Sequence, residues 1–157
     1  MPTIVIETKI NAPITLCFDL SRSIDLHIVS TSKTNEIAIA GKTIGLINLS
    51  ETVTWQATHF GVKQKLSSII TEFKSPYYFK DEQLKGPFKY FKHEHIFIEQ
   101  ENCTLMKDIF EFESPFGILG KIVNFLILKN YLKKFLIQRN LVIKEIAEKG
   151  EFDYLLK

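Results

Sequence analysis

The chain has 157 residues, enough for one ordinary domain with a single sizeable core. Its formal net charge is only +2 with 24% charged residues, and this balance excludes the strongly basic surface of a dedicated nucleic-acid-binding protein. The two cysteines have neither CxxC nor metal-ligand spacing, so we expect free thiols in a cytoplasmic protein. Glu7 and Lys9 interrupt the N-terminal apolar residues, which argues against a signal peptide, and no run of about twenty apolar residues offers a membrane span.

The first three quarters of the chain predict a strand, two short helices and then a series of strands. Ile4 to Ile10 alternates with polar residues, and Asn11-Ala12-Pro13 ends that strand and begins a short helix through Phe18. A second helical segment, SRSIDLHIVS, follows. From Ile37 onward, Gly, Pro, Ser and Asn separate five stretches typical of strands: GLINLSETVTWQA, HFGVKQKLSSIITEF, YYFKDEQL, FKYFKHEHIFIE and TLMKDIFEFE. Short connections between successive strands predict a mostly antiparallel sheet.

The segment from about Gly117 to Lys149 predicts one long amphipathic helix. Apolar residues recur along it at intervals of three, four or seven, as Ile118, Ile122, Phe125, Leu132, Leu136, Ile143 and Ala147. Its other side carries mostly cations: Lys121, Lys129, Lys133, Lys134, Arg139, Lys144 and Lys149. We expect the apolar stripe to pack on the sheet and the cationic side to face solvent, with a weak contact to an anionic membrane as an additional hypothesis. Residues 1–150 then form one α+β domain, and residues 151–157 form a C-terminal tail.

The element order and several segments resemble the SRPBCC group of the START and birch-pollen-allergen superfamily. The segments are SIDLH, ETVTWQATHFGVKQKLSSIITEF, GPFKYFKHEHIF and TLMKDIFEFESPFGILGKIVNFL, and the resemblance extends from about Ile4 to Ala147. It implies the helix-grip fold: a seven-stranded curved antiparallel sheet around a long C-terminal helix, two short helices after the first strand, and a hydrophobic cavity between sheet and helix. The group includes lipid and hormone carriers and aromatase/cyclases, so the resemblance specifies the fold more closely than the chemistry.

Strand alternation predicts which side chains face that cavity. In FKHEHIF, both histidines lie on one face together with Phe91 and Phe97, while Glu94 points to the other face. A hairpin turn over Gln100 to Cys103 pairs residues whose numbers sum to 203. The resulting cross-strand pairs are Phe97 with Met106, His95 with Asp108, His93 with Phe110, and Phe91 with Phe112.

The neighbouring strands add further inward positions. Phe79, Asp81 and Gln83 share a face, with Asp81 near His93 or Phe91, and the same alternation directs Val53, Trp55, Ala57, Phe60, Val62, Gln64, Leu66 and Ser68 inward. His59 falls on the outward face, and His27 either lies at the cavity mouth or caps a helix. The predicted ligand-binding residues are Trp55, Phe60, Gln64, Phe79, Asp81, Phe91, His93, His95, Phe97, Met106, Asp108, Phe110 and Phe112.

Three interpretations of the histidine pair follow. A His-x-His strand pair can bind metal, but Gly120 stands where a cupin-like second motif needs a histidine and a third strong ligand is not evident, so we predict no metal and no other cofactor. His95 can act as a general acid or base with Asp108 fixing its tautomer, as in a lyase or cyclase of the polyketide cyclase type. The two side chains can also simply satisfy each other's hydrogen bonds.

The sequence favours a binding protein for a hydrophobic small molecule or lipid, as a monomer or homodimer. The enzyme is the principal alternative. A third interpretation is an interaction module whose cavity is filled by some of the chain's 13 phenylalanines.

Overall fold

One antiparallel sheet of seven strands, in the order β1-β7-β6-β5-β4-β3-β2, forms the body of the computed structural model. The strands are β1 (Thr3–Ile10), β2 (Ile37–Gly41), β3 (Thr52–His59), β4 (Val62–Lys74), β5 (Tyr78–Lys85), β6 (Tyr90–Gln100) and β7 (Cys103–Glu113). The structure describes the backbone of residues 1–157 and all side chains except those at 124 and 125. The predicted α+β helix-grip architecture is confirmed.

The β6–β7 hairpin has the register that alternation predicts. Every pair sums to 203, including His95 with Asp108 and His93 with Phe110. The turn closes over Glu101 and Asn102, and Asn102 has a φ of 59°, a left-handed conformation that asparagine tolerates better than most residues. Along β6 the inward side chains are buried, while those on the opposite face are partly exposed. One side of this hairpin therefore faces the interior of the molecule.

Two short helices follow β1 and cover one part of the inner sheet surface. Helix α1 (Ile14–Ser21) begins after Pro13, and helix α2 (Ile24–Ser30) begins at Ser23, whose hydroxyl accepts a hydrogen bond from the Leu26 amide. The fully buried ring of Phe18 in α1 makes edge-to-face contacts with Phe73, Phe79 and Phe97 at centroid distances of 5.3–5.6 Å. This contact makes a solid core under α1.

The C-terminal helix is interrupted near its start. It consists of α3 (Gly117–Val123), a π-helical turn (Asn124–Leu128) and α4 (Lys129–Lys149), and it ends at Gly150, whose φ of 78° forms a left-handed cap. Leu136, Ile143 and Ala147 are buried as predicted, and Leu132 is partly buried.

Two expectations for this helix are wrong, and one is untested. Ile118 and Ile122 are 80% and 53% exposed, so the apolar stripe is not buried against the sheet in α3. Arg139, assigned to the solvated face, is only 4% exposed because its guanidinium turns inward to polar partners. The side chain of Phe125 lies outside the described residues.

The last residues pack on the domain. A 3₁₀ turn spans Asp153–Leu155, the Leu155 side chain is completely buried, and the Ser23 hydroxyl donates a 2.5 Å hydrogen bond to the Leu155 carbonyl. The tail therefore contributes to the core beside α2. Among the described residues, no helix is long and apolar enough to cross a bilayer.

Candidate ligand-binding site

A cavity of about 360 Å³ lies between the inner face of the sheet and helix α4. This volume falls within the roughly 300–1,000 Å³ typical of small-molecule sites. Most of its wall is apolar, including Trp55, Ala57, Leu66, Ile70, Phe79, Phe91, Phe110, Leu132, Phe135 and Leu136. A polar group on the sheet side, made of Asp81, His93 and His95, interrupts this wall. The interior is therefore hollow, which disfavours a cavity filled by the chain's own phenylalanines.

Nine of the predicted ligand-binding residues line this cavity. They are Trp55, Phe60, Gln64, Phe79, Asp81, Phe91, His93, His95 and Phe110. Phe60 lies at the rim, since it occupies the β3–β4 turn with a φ of 52°, is 60% exposed and packs on Tyr131 at a centroid distance of 4.5 Å. Val62, which begins β4 directly after this turn, is also mostly exposed.

Four predicted lining residues do not reach the cavity wall. Phe97 and Met106 lie beneath α1, where Phe97 meets Phe18 and the Ser21 hydroxyl approaches the Met106 sulfur at 3.2 Å. Phe112 is fully buried against other phenylalanines, with Phe88 5.8 Å away. Asp108 is fully buried behind the two histidines. Alternation assigned all four to the correct face, but α1 and neighbouring side chains cover that face there.

The histidines and aspartates form one connected cluster. His93 Nε2 lies 2.9 Å from Asp108 Oδ1, and His95 Nε2 lies 3.0 Å from Asp81 Oδ1. The hydrogen bonds thus run diagonally between strands, although His95 is directly opposite Asp108 and His93 directly opposite Asp81. The predicted His95–Asp108 contact is present as a 3.1 Å approach of Nδ1 to Oδ1, but its alignment is too poor for a hydrogen bond.

Two residues of helix α4, which packs on the inner face of the sheet, complete the cluster. Asn140 Nδ2 donates a 2.6 Å hydrogen bond to Asp108 Oδ2, and Arg139 Nη1 lies 3.7 Å from Asp108 Oδ1. Arg139 also donates to the Asn140 side chain and to the Ser21 carbonyl, each at 3.0 Å. Both oxygens of the buried carboxylate are therefore held by polar partners.

Burial opposes charge throughout the cluster, and internal contacts decide which groups stay charged. Burial raises the pKa of the Asp108 carboxyl, but the hydrogen bond with His93 and the close approach of His95 outweigh it and hold this pKa well below its ordinary value. Burial likewise lowers the pKa of His95, yet the carboxylates of Asp108 and Asp81 leave it raised overall. Burial and the charge of His95 lower the pKa of His93. Of the two histidines, His95 therefore has the pKa that is raised and His93 the pKa that is lowered.

The sequence left the position of one polar residue of the site open, as either the cavity mouth or a helix cap, and placed another on the wrong face. His27 lines the cavity, stacks on Trp55 at 4.2 Å and lies 3.0 Å from the buried Glu36 carboxylate. His59, expected to face outward, also lines the cavity, and its Nδ1 lies 2.7 Å from the Tyr131 hydroxyl of α4. The sequence has no local signal for the contacts of His27 with Trp55 and of His59 with Tyr131, because each one joins segments far apart in the chain.

Comparisons with known proteins identify the fold. No family model matches the sequence, and no curated protein matches it significantly. Among solved structures, TTHA0849 from Thermus thermophilus is similar at a TM-score of 0.71 and 13% identity, over 93% of this chain and 99% of that chain. A START superfamily protein from Mycobacterium smegmatis has a TM-score of 0.71 at 8% identity, over 94% and 98% of the two chains. Ginseng major latex-like protein 151 from Panax ginseng has a TM-score of 0.69 at 14% identity, over 93% and 97%.

These likenesses show that the chain shares the fold of these proteins, a seven-stranded antiparallel sheet with a long C-terminal helix packed on its inner face. At 8–14% identity they establish the fold alone, since one fold serves many functions.

Proposed function

We propose that the chain binds a hydrophobic small molecule or lipid in the cavity between the sheet and α4. The supporting observation is the hollow itself, about 360 Å³ enclosed mainly by aromatic and aliphatic side chains. An apolar occupant of a cavity of this size gains dispersion contacts with the wall and stabilises the folded chain.

The polar cluster supports an occupant with one polar end. Asp81, His93 and His95 present hydrogen-bonding groups on an otherwise apolar wall, so a hydroxyl or carbonyl on the ligand finds a partner there and fixes the ligand's orientation.

Cys17 and Cys103 are both free and buried, which supports the cytoplasmic location expected from the sequence.

Native mass spectrometry of protein purified from its own host, with lipid extraction of the same sample, tests this proposal. We expect an adduct of lipid-like or ring-containing small-molecule mass that dissociates on denaturation. Protein that carries no adduct and binds no neutral apolar fluorophore would contradict it.

A second candidate function is a lyase or cyclase reaction at the cluster. The observation that favours it is the position of two imidazoles in the cavity wall, directly in front of the buried Asp108 carboxylate. Each imidazole is held by a hydrogen bond to an aspartate, His93 by Asp108 and His95 by Asp81. General acid–base catalysis requires such a positioned ring within reach of the ligand.

Replacement of His95 by Ala separates the two functions. If His95 only orients the ligand through one neutral hydrogen bond worth ~0.5–1.5 kcal/mol, affinity falls by no more than about tenfold. A general acid or base at this position would instead lose ~10²–10⁴ in turnover of a cyclisable polyketide-like substrate. We expect the first result, measured by titration with the extracted ligand. Turnover that depends on His95 would favour the enzyme.

A surface next to the cavity mouth supports contact with a membrane. The α3 patch consists of large apolar side chains that are 42–80% exposed: Phe116, Ile118, Leu119, Ile122, Val123, Leu126 and Ile127. Phe116 and Val123 also line the cavity, and Lys121 and Lys133 are exposed nearby. An apolar surface bordered by lysines suits the interface of an anionic bilayer, from which a carrier could collect its ligand.

Leu119→Asp should weaken this contact. Leu119 is 75% exposed, and transfer of one leucine side chain out of water contributes ~1.5–3 kcal/mol, so we expect vesicle affinity to fall by at least ~10-fold. Flotation with phosphatidylserine-containing vesicles and with phosphatidylcholine vesicles measures it. Ile44→Asp is the matched control, because Ile44 is 70% exposed but lies outside the patch. Wild-type protein that fails to float and has the mass of a homodimer would contradict the membrane contact.

A further inference from the structure

We propose that Asp81, His93 and His95 form a binding site for a borderline divalent transition-metal ion, of the class of Zn²⁺, Co²⁺ and Fe²⁺, in the wall of the cavity. One donor atom from each of the three residues lies within 4.8 Å of the other two. Around an ion with bonds of about 2.0–2.2 Å, tetrahedral donors lie roughly 3.3–3.6 Å apart, so a shift of about 1 Å closes the site. The sequence pattern alone did not single out Asp81 as this third ligand, because it comes from a different strand.

The distances from Asp81 Oδ1 to the two imidazoles identify the nitrogen atom that each histidine would use to bind the ion. Asp81 Oδ1 lies 3.0 Å from His95 Nε2 and 4.0 Å from His93 Nδ1. No hydrogen bond among the described residues involves His93 Nδ1, which leaves its lone pair available. Asp81 is the least buried of the three side chains at 17% exposed, so an ion bound here would keep free coordination positions on the cavity side.

Asp108 provides the outer shell that such a site needs. The second nitrogen of each ring faces the same carboxylate oxygen: His93 Nε2 at 2.9 Å and His95 Nδ1 at 3.1 Å from Asp108 Oδ1. Metal-binding histidines usually donate their other N–H to a carboxylate, which fixes the tautomer and the ring orientation. Asn140 in turn holds the other oxygen of Asp108 at 2.6 Å. One buried aspartate therefore orients the His93 ring through a hydrogen bond and lies within reach of the second nitrogen of His95.

An unsatisfied atom in the cluster also points to an ion. Within the described part of the chain, His95 Nδ1 is one of two buried side-chain polar atoms without a hydrogen-bond partner. His95 is turned so that Nε2 meets Asp81 and Nδ1 is misaligned with Asp108. An ion between Nε2 and Asp81 would replace the His95–Asp81 hydrogen bond and free the ring to align Nδ1–H with Asp108. Two imidazoles with one carboxylate disfavour Mg²⁺ and Ca²⁺, which prefer oxygen ligands throughout.

Cobalt titration of the untagged full-length chain, treated with chelator and then dialysed, tests the inference. We expect visible d–d absorption that saturates at one Co²⁺ per chain and is displaced by Zn²⁺. Asp108→Asn should weaken Co²⁺ binding ~10–100-fold as the loss of an outer-shell partner, and His93→Ala should weaken it further. Glu94→Gln is the control, because Glu94 lies between the histidines in sequence but on the opposite face of β6.

The outcomes separate this inference from the ligand-binding proposal. An unchanged Co²⁺ affinity in His93→Ala, or no saturable absorption in the wild type, overturns the metal site, whatever the cavity binds. If far-UV circular dichroism shows that His93→Ala is unfolded, Asp81→Asn gives the same readout at a more exposed position. Saturable Co²⁺ binding in protein that takes up no apolar ligand supports the metal site and counts against the carrier.

Discussion

Asp108→Asn should destabilise the folded chain by ~3–5 kcal/mol, because removal of one partner from a buried ionic network leaves the remaining charges uncompensated. Asp108 accepts from His93 on one oxygen and from Asn140 on the other, and Arg139 lies 3.7 Å away. An amide keeps the shape but turns one acceptor into a donor that faces another donor. Urea denaturation followed by circular dichroism measures the change in the free energy of unfolding.

Glu111→Gln provides the matched control for this experiment. Glu111 lies on the same strand with outward orientation, and its carboxylate is 3.5 Å from the partly exposed Lys92 ammonium. Such a surface pair contributes about 0–1 kcal/mol, so its loss should be small. Equal effects of the two substitutions would mean that the Asp108 cluster is not the organised buried network described above.

Ala57→Phe should block the cavity while leaving the fold intact. Ala57 is buried on β3 and lines the cavity, so a benzyl group there projects into the hollow. We expect affinity for the neutral fluorophore N-phenyl-1-naphthylamine to fall by at least ~10-fold, equivalent to ~1.4 kcal/mol. The free energy of unfolding should stay within about 1 kcal/mol of the wild type, since overpacking costs ~1–3 kcal/mol only where the core is already full.

Ala40→Phe is the control for an added aromatic ring, because Ala40 is exposed on the neighbouring strand β2. Its fluorophore affinity should equal that of the wild type. If Ala57→Phe binds the fluorophore as tightly as Ala40→Phe, the ligand site lies elsewhere. If Ala57→Phe unfolds instead, the space beside Ala57 is not free volume.

Strand alternation predicted much of the sheet side of the site. The two-residue period and a tight β6–β7 turn were sufficient to derive the register that places His93, His95 and Asp108 together. Alternation specifies a face, however, and not what covers it. Phe97 and Met106 share the inward face with the histidines but lie under α1, and the position of α1 depends on contacts such as that between Phe18 and Phe97, far apart in the chain.

The helix side of the site was much harder to predict. A single arginine in a lysine-rich helix is expected on the solvated face, and Arg139 was assigned there. Its actual position depends on Asp108 and the Ser21 carbonyl, which belong to β7 and α1. The same holds for Ile118 and Ile122, whose helical period predicts burial although both side chains are mostly exposed in α3. The apolar period shows which face of a helix is hydrophobic. Whether that face is buried depends on which other elements the fold packs against it.

The buried Leu155 gives the chain terminus a structural role in the cavity wall. Its carbonyl accepts from Ser23, the residue that caps α2, and α2 carries His27 into the lining beside Trp55. The turn at Asp153–Leu155 therefore holds α2 in place from a position more than a hundred residues further along the chain. A substitution in this turn should change the position of α2 and, with it, the shape of the cavity.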